Sequence, residues 1–218
     1  MKKLLSIITF MAFFFLANIS YAQYVTETGI KNEKGTQKIE STKDIAYQID
    51  NKINNDSVPI VYKINDSLFF QIVRFSKRTF HLIIFYTDWC KPCQSEMPYF
   101  KRIAANSTLA VYFIEPDPLR FSSLIRNYLK KKGILQPTFI LDDSYKKNVK
   151  RRFYKFRDQI CPDCKEITGF PSVILMNKER KVIYEKTGII DTLQLNRIIK
   201  QNHSVGMFKE ENKISSKR

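Results

Sequence analysis

Apolar residues in the middle of the chain form short continuous runs that alternate with helical patterns. Phe80 to Tyr86 is an unbroken apolar run, which is typical of a strand buried on both faces. After it, Met97, Phe100, Ile103 and Ala104 recur at helical spacing. The pattern therefore predicts a buried strand that leads directly into an amphipathic helix.

Two apolar runs precede this strand, Ile60 to Ile64 and Leu68 to Phe75. Both are rich in β-forming residues, and the turn-forming pair Asn65-Asp66 separates them. This arrangement predicts a hairpin. Residues 23–58 are polar and predict a linker or N-terminal arm, in which Ile45 to Ile53 is a candidate short helix.

Strands and helices also alternate after the first helix. Leu109 to Ile114 and Pro137 to Leu141 predict strands, and Phe121 to Lys132 predicts a helix that stops at Gly133. Tyr145 to Arg157 carries seven Lys or Arg residues, no acid, and aromatic residues at helical intervals. It is either an anion- or partner-binding helix or an amphipathic helix docked on the sheet with a solvated basic face. The second interpretation is favoured.

The final elements complete the predicted fold class. Ser172 to Met176 and Lys181 to Tyr184 predict an antiparallel hairpin, and Asp191 caps a last helix. Because parallel strands need crossover helices, the order predicts an α/β fold with a central mixed sheet, flanking helices and a terminal antiparallel hairpin. The predicted domain spans 59–201, with an insertion around 144–167 and a polar tail at 202–218.

The first 22 residues have the layout of a secretory signal peptide. Lys2 and Lys3 precede the apolar run Leu4 to Leu16, and Ala22 ends a small-residue cleavage site before Gln23. This predicts export to the periplasm or another extracytoplasmic space. The alternative is an uncleaved N-terminal membrane anchor, but the apolar run is shorter than the roughly 20 residues that a spanning helix needs.

The chain is strongly basic, with a formal net charge of +16. An exported protein rarely meets nucleic acid, so we interpret the charge as a source of solubility, with affinity for an acidic partner as a further role. No nucleic-acid partner, no cofactor and no metal are predicted, and the chain is expected to be a monomer.

Cys90 and Cys93 stand where the buried strand turns into the helix. A cysteine is a nucleophile as a thiolate, and a helix N-terminus stabilises that charge. Lys91 adds a positive charge, and Pro92 suits the first helical turn. The placement predicts that Cys90 attacks and that Cys93, one turn inside, resolves the mixed disulfide. Trp89 supplies an apolar lip beside the reactive sulfur.

The stretch Phe85 to Pro98, FYTDWCKPCQSEMP, resembles the active-site segment of the thioredoxin superfamily, and its Glu96-Met97-Pro98 ending resembles the TlpA/ResA-like periplasmic branch. The resemblance implies a thioredoxin-like three-layer fold from about Pro59 to Gln201. It also implies that Pro171 is a cis proline beside the cysteines. Phe170 and Gly169 would then line the groove for an extended substrate.

One position departs from the family pattern. Many thioredoxins bury an aspartate six residues before the first cysteine, and Ile84 stands there in this chain. Glu96 matches a glutamate of the ResA-like branch near the active site, which makes it the candidate for proton handling. The alternative is a surface acid on the helix.

A second pair, Cys161 and Cys164, falls in the predicted insertion, and the spacing favours pairing within each couple. A structural disulfide that staples the inserted loop is the favoured interpretation. A redox relay to Cys90 and Cys93 and a four-cysteine metal site are the alternatives, and an oxidising compartment opposes the metal site.

These patterns predict an exported thiol-disulfide oxidoreductase that acts by mixed-disulfide exchange, by resemblance in the reducing direction. Its partners would be exported proteins that carry thiols or disulfides, and a membrane electron donor such as a DsbD-like protein. The alternative is a redox-inert thioredoxin-fold binding module in which both cysteine pairs are structural.

Overall fold

A computed structural model describes residues 41–51, 59–106, 108–117, 122–145 and 148–202. The predicted signal peptide at 1–22, most of the predicted N-terminal arm and the tail beyond 202 lie outside the described residues. None of the helices in the described part is long and apolar enough to cross a membrane.

The described residues form six strands and six helices. The strands are β1 (Val61–Ile64), β2 (Phe80–Phe85), β3 (Leu109–Glu115), β4 (Thr138–Leu141), β5 (Ser172–Asn177) and β6 (Val182–Thr187). The helices are α1 (Thr42–Asn51), α2 (Asp66–Phe75), α3 (Lys91–Ala104), α4 (Ser122–Lys132), α5 (Val149–Ile160) and a final helix α6 at 192–202.

The strands form one mixed sheet in the order β1-β4-β3-β2-β5-β6. The first four strands of that order run parallel, β2 pairs antiparallel with β5, and β5 with β6. The predicted terminal hairpin is thus confirmed. Because β2 lies in the middle of the sheet, its carboxyl end is at the centre of one sheet edge. Cys90 follows shortly after that end.

Helices cover both faces of the sheet and make three layers. On one face, strand residues such as Ile84 and Phe113 pack with Met97 and Phe100 of α3 and Leu129 of α4. On the other face the packing is aromatic. Its ring contacts join the following residues across α2, the sheet and α5: Phe69, Tyr112, Phe85, Phe153 and Phe156. The predicted α/β fold class is confirmed by this arrangement.

The predicted strand Leu68 to Phe75 is wrong, because these residues lie in helix α2. The Asn65 side chain accepts the backbone N–H of Leu68 at 2.9 Å, which caps a helix rather than closing a hairpin. Phe69, Ile72 and Val73 are buried at helical spacing. Strand β1 pairs parallel with β4 instead, so the predicted first hairpin does not form.

The compact domain begins earlier than the predicted boundary at Pro59. Helix α1 buries Ile45, Ala46 and Ile49, and the compact unit starts at Thr42. Asp50, also buried, accepts from the Ser76 hydroxyl at 2.5 Å and from the Lys77 backbone N–H at 2.6 Å. Part of the predicted polar arm therefore belongs to the folded domain.

Val149 to Arg157 of the basic segment lie in helix α5, whose aromatic side docks on the sheet, as the favoured interpretation predicted. Arg152 is an exception to the predicted solvated basic face, because its side chain is buried. Its guanidinium donates to the backbone carbonyls of Leu141 and Asp142 at the end of β4. Arg152 thus satisfies strand-end carbonyls in the interior instead of facing solvent.

Candidate active site

Cys90 caps the N-terminus of α3. Its Sγ accepts the backbone N–H of Cys93 at 3.2 Å, and Pro92 occupies the first turn. The Cys90 backbone N–H in turn donates to the Thr87 carbonyl at 3.2 Å, which turns the chain from β2 into the helix. Cys90 and Cys93 form a disulfide with their Cα atoms 5.2 Å apart.

The helix end favours a negative charge on the Cys90 sulfur. The first turn contains Lys91 and no acid, and the free N–H groups of the helix point toward its N-terminus. Cys90 keeps 6% of its surface exposed and Cys93 none, so Cys90 is the more accessible of the two sulfurs.

The loop before β5 lies beside the cysteine turn. The Phe170–Pro171 peptide bond is cis, as the resemblance implied. Phe85 pairs with Ser172, so Pro171 stands next to the residues that follow β2. The Pro171 carbonyl accepts the backbone N–H of Gly188 at 2.8 Å, and Gly188 has a φ of 91° that favours glycine.

Hydroxyl groups hold this loop in place. The Ser172 hydroxyl donates to the Gly169 carbonyl and lies 2.9 Å from the Thr187 hydroxyl. Thr187 Oγ1 accepts the Thr168 backbone N–H at 3.0 Å and donates to the Glu166 carbonyl at 2.8 Å. The backbone around Gly169 is therefore fixed by β6 rather than left as a free loop.

An apolar rim surrounds the cysteine turn. Trp89 is 60% exposed, and its ring meets that of Phe170 edge-on at 6.3 Å. Phe170 also contacts Phe153 of α5 at 4.7 Å between ring centres. Ile189 follows Gly188 and is 74% exposed. No sequence motif marks Ile189. It follows Gly188, whose backbone N–H is bonded to the Pro171 carbonyl.

Glu96 is buried, so the alternative of a surface acid is wrong. It is 5% exposed, and its Oε2 accepts the backbone N–H of Ile190 at 3.3 Å. This bond ties the cysteine helix to the loop that leads into α6. Ile84, at the position of the thioredoxin aspartate, is fully buried between β3 and β5.

Three carboxyl groups that the sequence analysis did not identify as a group meet beside the cysteine turn. Carboxylate oxygens of Asp88, Glu115 and Asp117 lie within 4.8 Å of one another. Glu115 is fully buried, and the Trp89 indole N–H donates to Asp117 Oδ2 at 3.0 Å. They come together because β2 and β3 are parallel neighbours and end at the same edge of the sheet.

Burial dominates the titration of this group. It raises the pKa of Glu115 well above its usual range, and the charges of Asp117 and Asp88 raise it further. Backbone N–H groups of Asp117 and Asp88 oppose the shift. Burial also raises the pKa of Asp117, while its hydrogen bond from Trp89 opposes that rise.

Cys161 and Cys164 form the second disulfide, with their Cα atoms 5.4 Å apart. Cys161 is the C-cap of α5, and its backbone N–H donates to the Arg157 carbonyl at 2.7 Å. The carboxylate of Glu185 on β6 lies within 4.8 Å of both sulfurs. Burial, followed by the charge of Glu166, raises the pKa of Glu185.

The second pair and the proline loop are joined through α5. Arg157 donates to the Ile167 carbonyl at 2.5 Å, and the Tyr154 hydroxyl donates to the Thr168 carbonyl at 2.8 Å. The disulfide therefore closes the turn between the end of α5 and the loop that carries Phe170 and Pro171. This geometry fits the favoured interpretation of a staple.

No family model matches the sequence, and no curated protein matches it. Solved structures are similar. The thioredoxin domain of a thiol-disulfide oxidoreductase from Bacteroides vulgatus is 20% identical over 52% of this chain and 73% of its own, with a TM-score of 0.40. StoA from Bacillus subtilis is 17% identical over 57% and 84%, with a TM-score of 0.40. A DsbF homologue from Corynebacterium diphtheriae is 17% identical over 56% and 71%, with a TM-score of 0.44.

The fold assignment rests on the chain's own geometry. A central mixed sheet lies between two helical layers, a disulfide stands where β2 enters α3, and a cis proline opens β5 beside it. The chain has a thioredoxin-like fold.

Proposed function

We propose that this chain is a thiol-disulfide oxidoreductase that works through Cys90 and Cys93. The observation that carries the proposal is the position of Cys90 Sγ, which accepts a backbone N–H at the N-terminus of α3. A sulfur in that position is stabilised as a thiolate, which is both the attacking and the better leaving form in disulfide exchange.

In the reducing direction the Cys90 thiolate attacks one sulfur of a substrate disulfide. A bond forms between Cys90 Sγ and that sulfur, and the other substrate sulfur leaves and takes up a proton. Cys93 then gives up its proton and attacks Cys90 Sγ, which forms the Cys90–Cys93 disulfide and releases the second substrate thiol. The substrate gains two electrons and two protons, and an external dithiol must reduce the enzyme again.

The rim offers an extended substrate both apolar and backbone contacts. Trp89 and Ile189 present exposed apolar surface on the two sides of the proline loop. Phe170, which precedes the cis bond, offers its backbone N–H and carbonyl to a strand-like segment. We expect Trp89→Ala to raise KM more than it lowers kcat, because Trp89 contacts substrate without entering the exchange.

Reduction of insulin by dithiothreitol, followed by turbidity, tests the proposal. The wild-type chain should accelerate it, and Cys90→Ser and Cys93→Ser should each abolish the acceleration. Wild-type protein that gives no acceleration, with a Cys90 thiol that titrates near the ordinary value of about 8.5, would overturn the proposal. That result would favour the redox-inert binding module.

Glu96 is proposed to handle the proton of Cys93. The pH profile of insulin reduction by Glu96→Gln separates this role from a structural one. The Gln side chain keeps an oxygen that can accept the Ile190 backbone N–H. A proton role therefore predicts a displaced profile at unchanged thermal stability, whereas a purely structural role predicts an unchanged profile.

We further propose that the protein acts on exported proteins after cleavage before Gln23, with electrons from a membrane dithiol donor. Support comes from the layout of Lys2, Lys3 and the apolar run that follows. N-terminal sequencing of the protein from a periplasmic fraction should begin at Gln23. Recovery of the full-length chain in the membrane fraction would instead support an uncleaved anchor.

A further inference from the structure

The carboxyl ends of β2 and β3 place three acids in one cluster, which we call the acid cluster: Asp88, Glu115 and Asp117. Their carboxylate oxygens lie within 4.8 Å of one another. Glu115 is fully buried and Asp117 is 8% exposed, whereas Asp88 is half-buried and connects the cluster to solvent. A group of charges this close and this buried needs compensation.

The described residues compensate the acid cluster only in part, through the backbone N–H groups of Asp117 and Asp88 that approach Glu115. No salt bridge to the acid cluster occurs in the described part of the chain, where ion pairs join Lys63 to Asp143 and Arg157 to Asp158. The Trp89 indole satisfies one oxygen of Asp117. Neither carboxyl oxygen of Glu115 makes a hydrogen bond of ordinary geometry.

A second observation comes from hydroxyl groups that are not members of the acid cluster. Tyr86, the neighbour of Glu115 across β2 and β3, is fully buried, and its hydroxyl makes no hydrogen bond of ordinary geometry. The charges of Glu115 and Asp88 act on that hydroxyl and on the hydroxyl of Tyr128 in α4. The Thr87 hydroxyl is also buried and unpaired. The hydroxyl groups of Tyr86, just after β2, and of Tyr128 in α4 thus lie within electrostatic range of the acid cluster.

We propose that Asp88, Glu115 and Asp117 bind a hard divalent cation of the calcium class, with the Tyr86 hydroxyl turned toward it. Calcium takes oxygen ligands at about 2.3–2.6 Å, so two ligands on one ion lie at most roughly 5 Å apart. The spacing within the acid cluster meets this limit. Water entering past half-buried Asp88 completes the coordination.

The donor set argues for calcium over other metals. Zinc favours nitrogen and sulfur ligands, and magnesium demands a tighter octahedron. The second group of close ligand atoms, Cys161, Cys164 and Glu185, is different in kind, because its two sulfurs are bonded to each other.

Terbium luminescence tests the site, because the protein carries its own sensitiser. Trp89 is the single tryptophan of the chain, and it is hydrogen-bonded to Asp117. In the oxidised full-length or processed protein, excitation of the indole should give saturable Tb³⁺ emission that Ca²⁺ displaces. Glu115→Gln and Asp88→Asn should each weaken binding about tenfold or more, because calcium affinity follows the number of charged ligands.

A matched control uses acids at the end of β4. Asp143 is paired with Lys63 at 2.7 Å, and Asp142 accepts from Asn65 at 3.1 Å, so Asp142→Asn combined with Asp143→Asn should leave the emission unchanged. Ca²⁺ should raise the melting temperature of the wild type and of this control, and not that of Glu115→Gln. If Glu115→Gln does not fold, the Tb³⁺ emission of Asp88→Asn, a change at a half-buried position, decides the test.

Two results would overturn the proposal. The first is the lack of sensitised emission, which means that the acid cluster binds no cation. The second is emission of equal strength in the wild type, Glu115→Gln and Asp88→Asn, which places the metal elsewhere. Since neither readout needs thiol exchange, the Cys90→Ser variant should bind Tb³⁺ normally. Failure of the proposed function therefore leaves this test intact.

Discussion

The two cysteine pairs share a sequence spacing and differ in the helix end at which they stand. Their Cα separations are 5.2 Å and 5.4 Å. Exposure does not distinguish them either, since Cys90 and Cys93 are 6% and 0% exposed and Cys161 and Cys164 are 4% and 2% exposed. What differs is the helix end, because Cys90 caps the N-terminus of α3 and Cys161 the C-terminus of α5.

The opposite helix ends give the sulfurs opposite electrostatic surroundings. N–H groups and Lys91 stabilise a thiolate at Cys90. Cys161 stands at the negative end of the α5 dipole, and the carboxyl of Glu185 adds an acid within 4.8 Å of both sulfurs. The same four-residue motif is therefore expected to be reactive in one place and inert in the other. We therefore expect placement on a helix to decide what each CxxC pair does.

The largest expected effect is on turnover. Replacement of Cys90 by serine should lower insulin reduction by roughly three orders of magnitude or more, because the nucleophile is lost. Cys161→Ser combined with Cys164→Ser should stay within a few-fold of wild type. Should the double variant lose as much activity as Cys90→Ser while its circular dichroism is unchanged, the second pair would be a relay and not a staple.

Thiol reactivity should separate the pairs next. In fully reduced protein, iodoacetamide should label Cys90 at mildly acidic pH, whereas Cys161 and Cys164 should need alkaline pH. Each unit of difference in thiol pKa changes the thiolate fraction about tenfold below both pKa values. Peptide mass spectrometry after timed labelling measures the ratio, and equal labelling rates at every pH would contradict the electrostatic contrast.

The acids beside the two pairs predict different pH dependences of stability. Because burial raises the folded pKa of Glu115 above its ordinary 4.5, unfolding above that pH releases a proton. The contribution of Glu115 to the free energy of unfolding is fully present below about pH 4.5. It is lost as pH rises, with a slope of up to about 1.4 kcal/mol per pH unit. Glu115→Gln should therefore flatten the fall in unfolding free energy between pH 5 and pH 8.

Glu185→Gln is the matched variant at the second pair. The rise in the Glu185 pKa has the same sign, but the side chain is only partly buried, so the slope should change less. Urea denaturation in EDTA at a series of pH values measures both variants without interference from cations. A larger change for Glu185→Gln than for Glu115→Gln would reverse the comparison.

The smallest expected effect is on KM, through the contact between α5 and the proline loop. Tyr154→Phe removes the hydrogen bond to the Thr168 carbonyl. It should raise KM for insulin by less than about fivefold, since a single hydrogen bond is worth about 1 kcal/mol. A fall in kcat with no change in KM would mean that α5 does not act through the groove.

Local pattern was enough to predict the cysteine turn. The continuous run of β2 and the helical spacing of Met97 and Phe100 are properties of adjacent residues, so the strand–cysteine–helix arrangement could be predicted. The helix α2 could not, because its apolar residues also fit a strand and the deciding features are the Asn65 cap and the parallel pairing of β1.

The buried polar residues depended on contacts between distant segments. Glu115 ends an apolar run, where an acid usually marks the start of a solvated loop, and it is buried only because β2 and β4 flank β3. Arg152 belongs to a basic run in which Lys150, Arg151 and Lys155 are exposed, and its partners are carbonyls at the end of β4. Neither environment can be predicted from neighbouring residues.

The hydrogen bond to Cys90 Sγ comes from the backbone of residue 93, so it does not depend on the side chain there. Cys93→Ala therefore keeps the donor and removes only the second thiol. Such a variant would begin exchange and never complete it, and each partner it met would stay covalently attached. Expressed in the native host, it would serve as bait from which the physiological substrates and the electron donor could be identified by mass spectrometry.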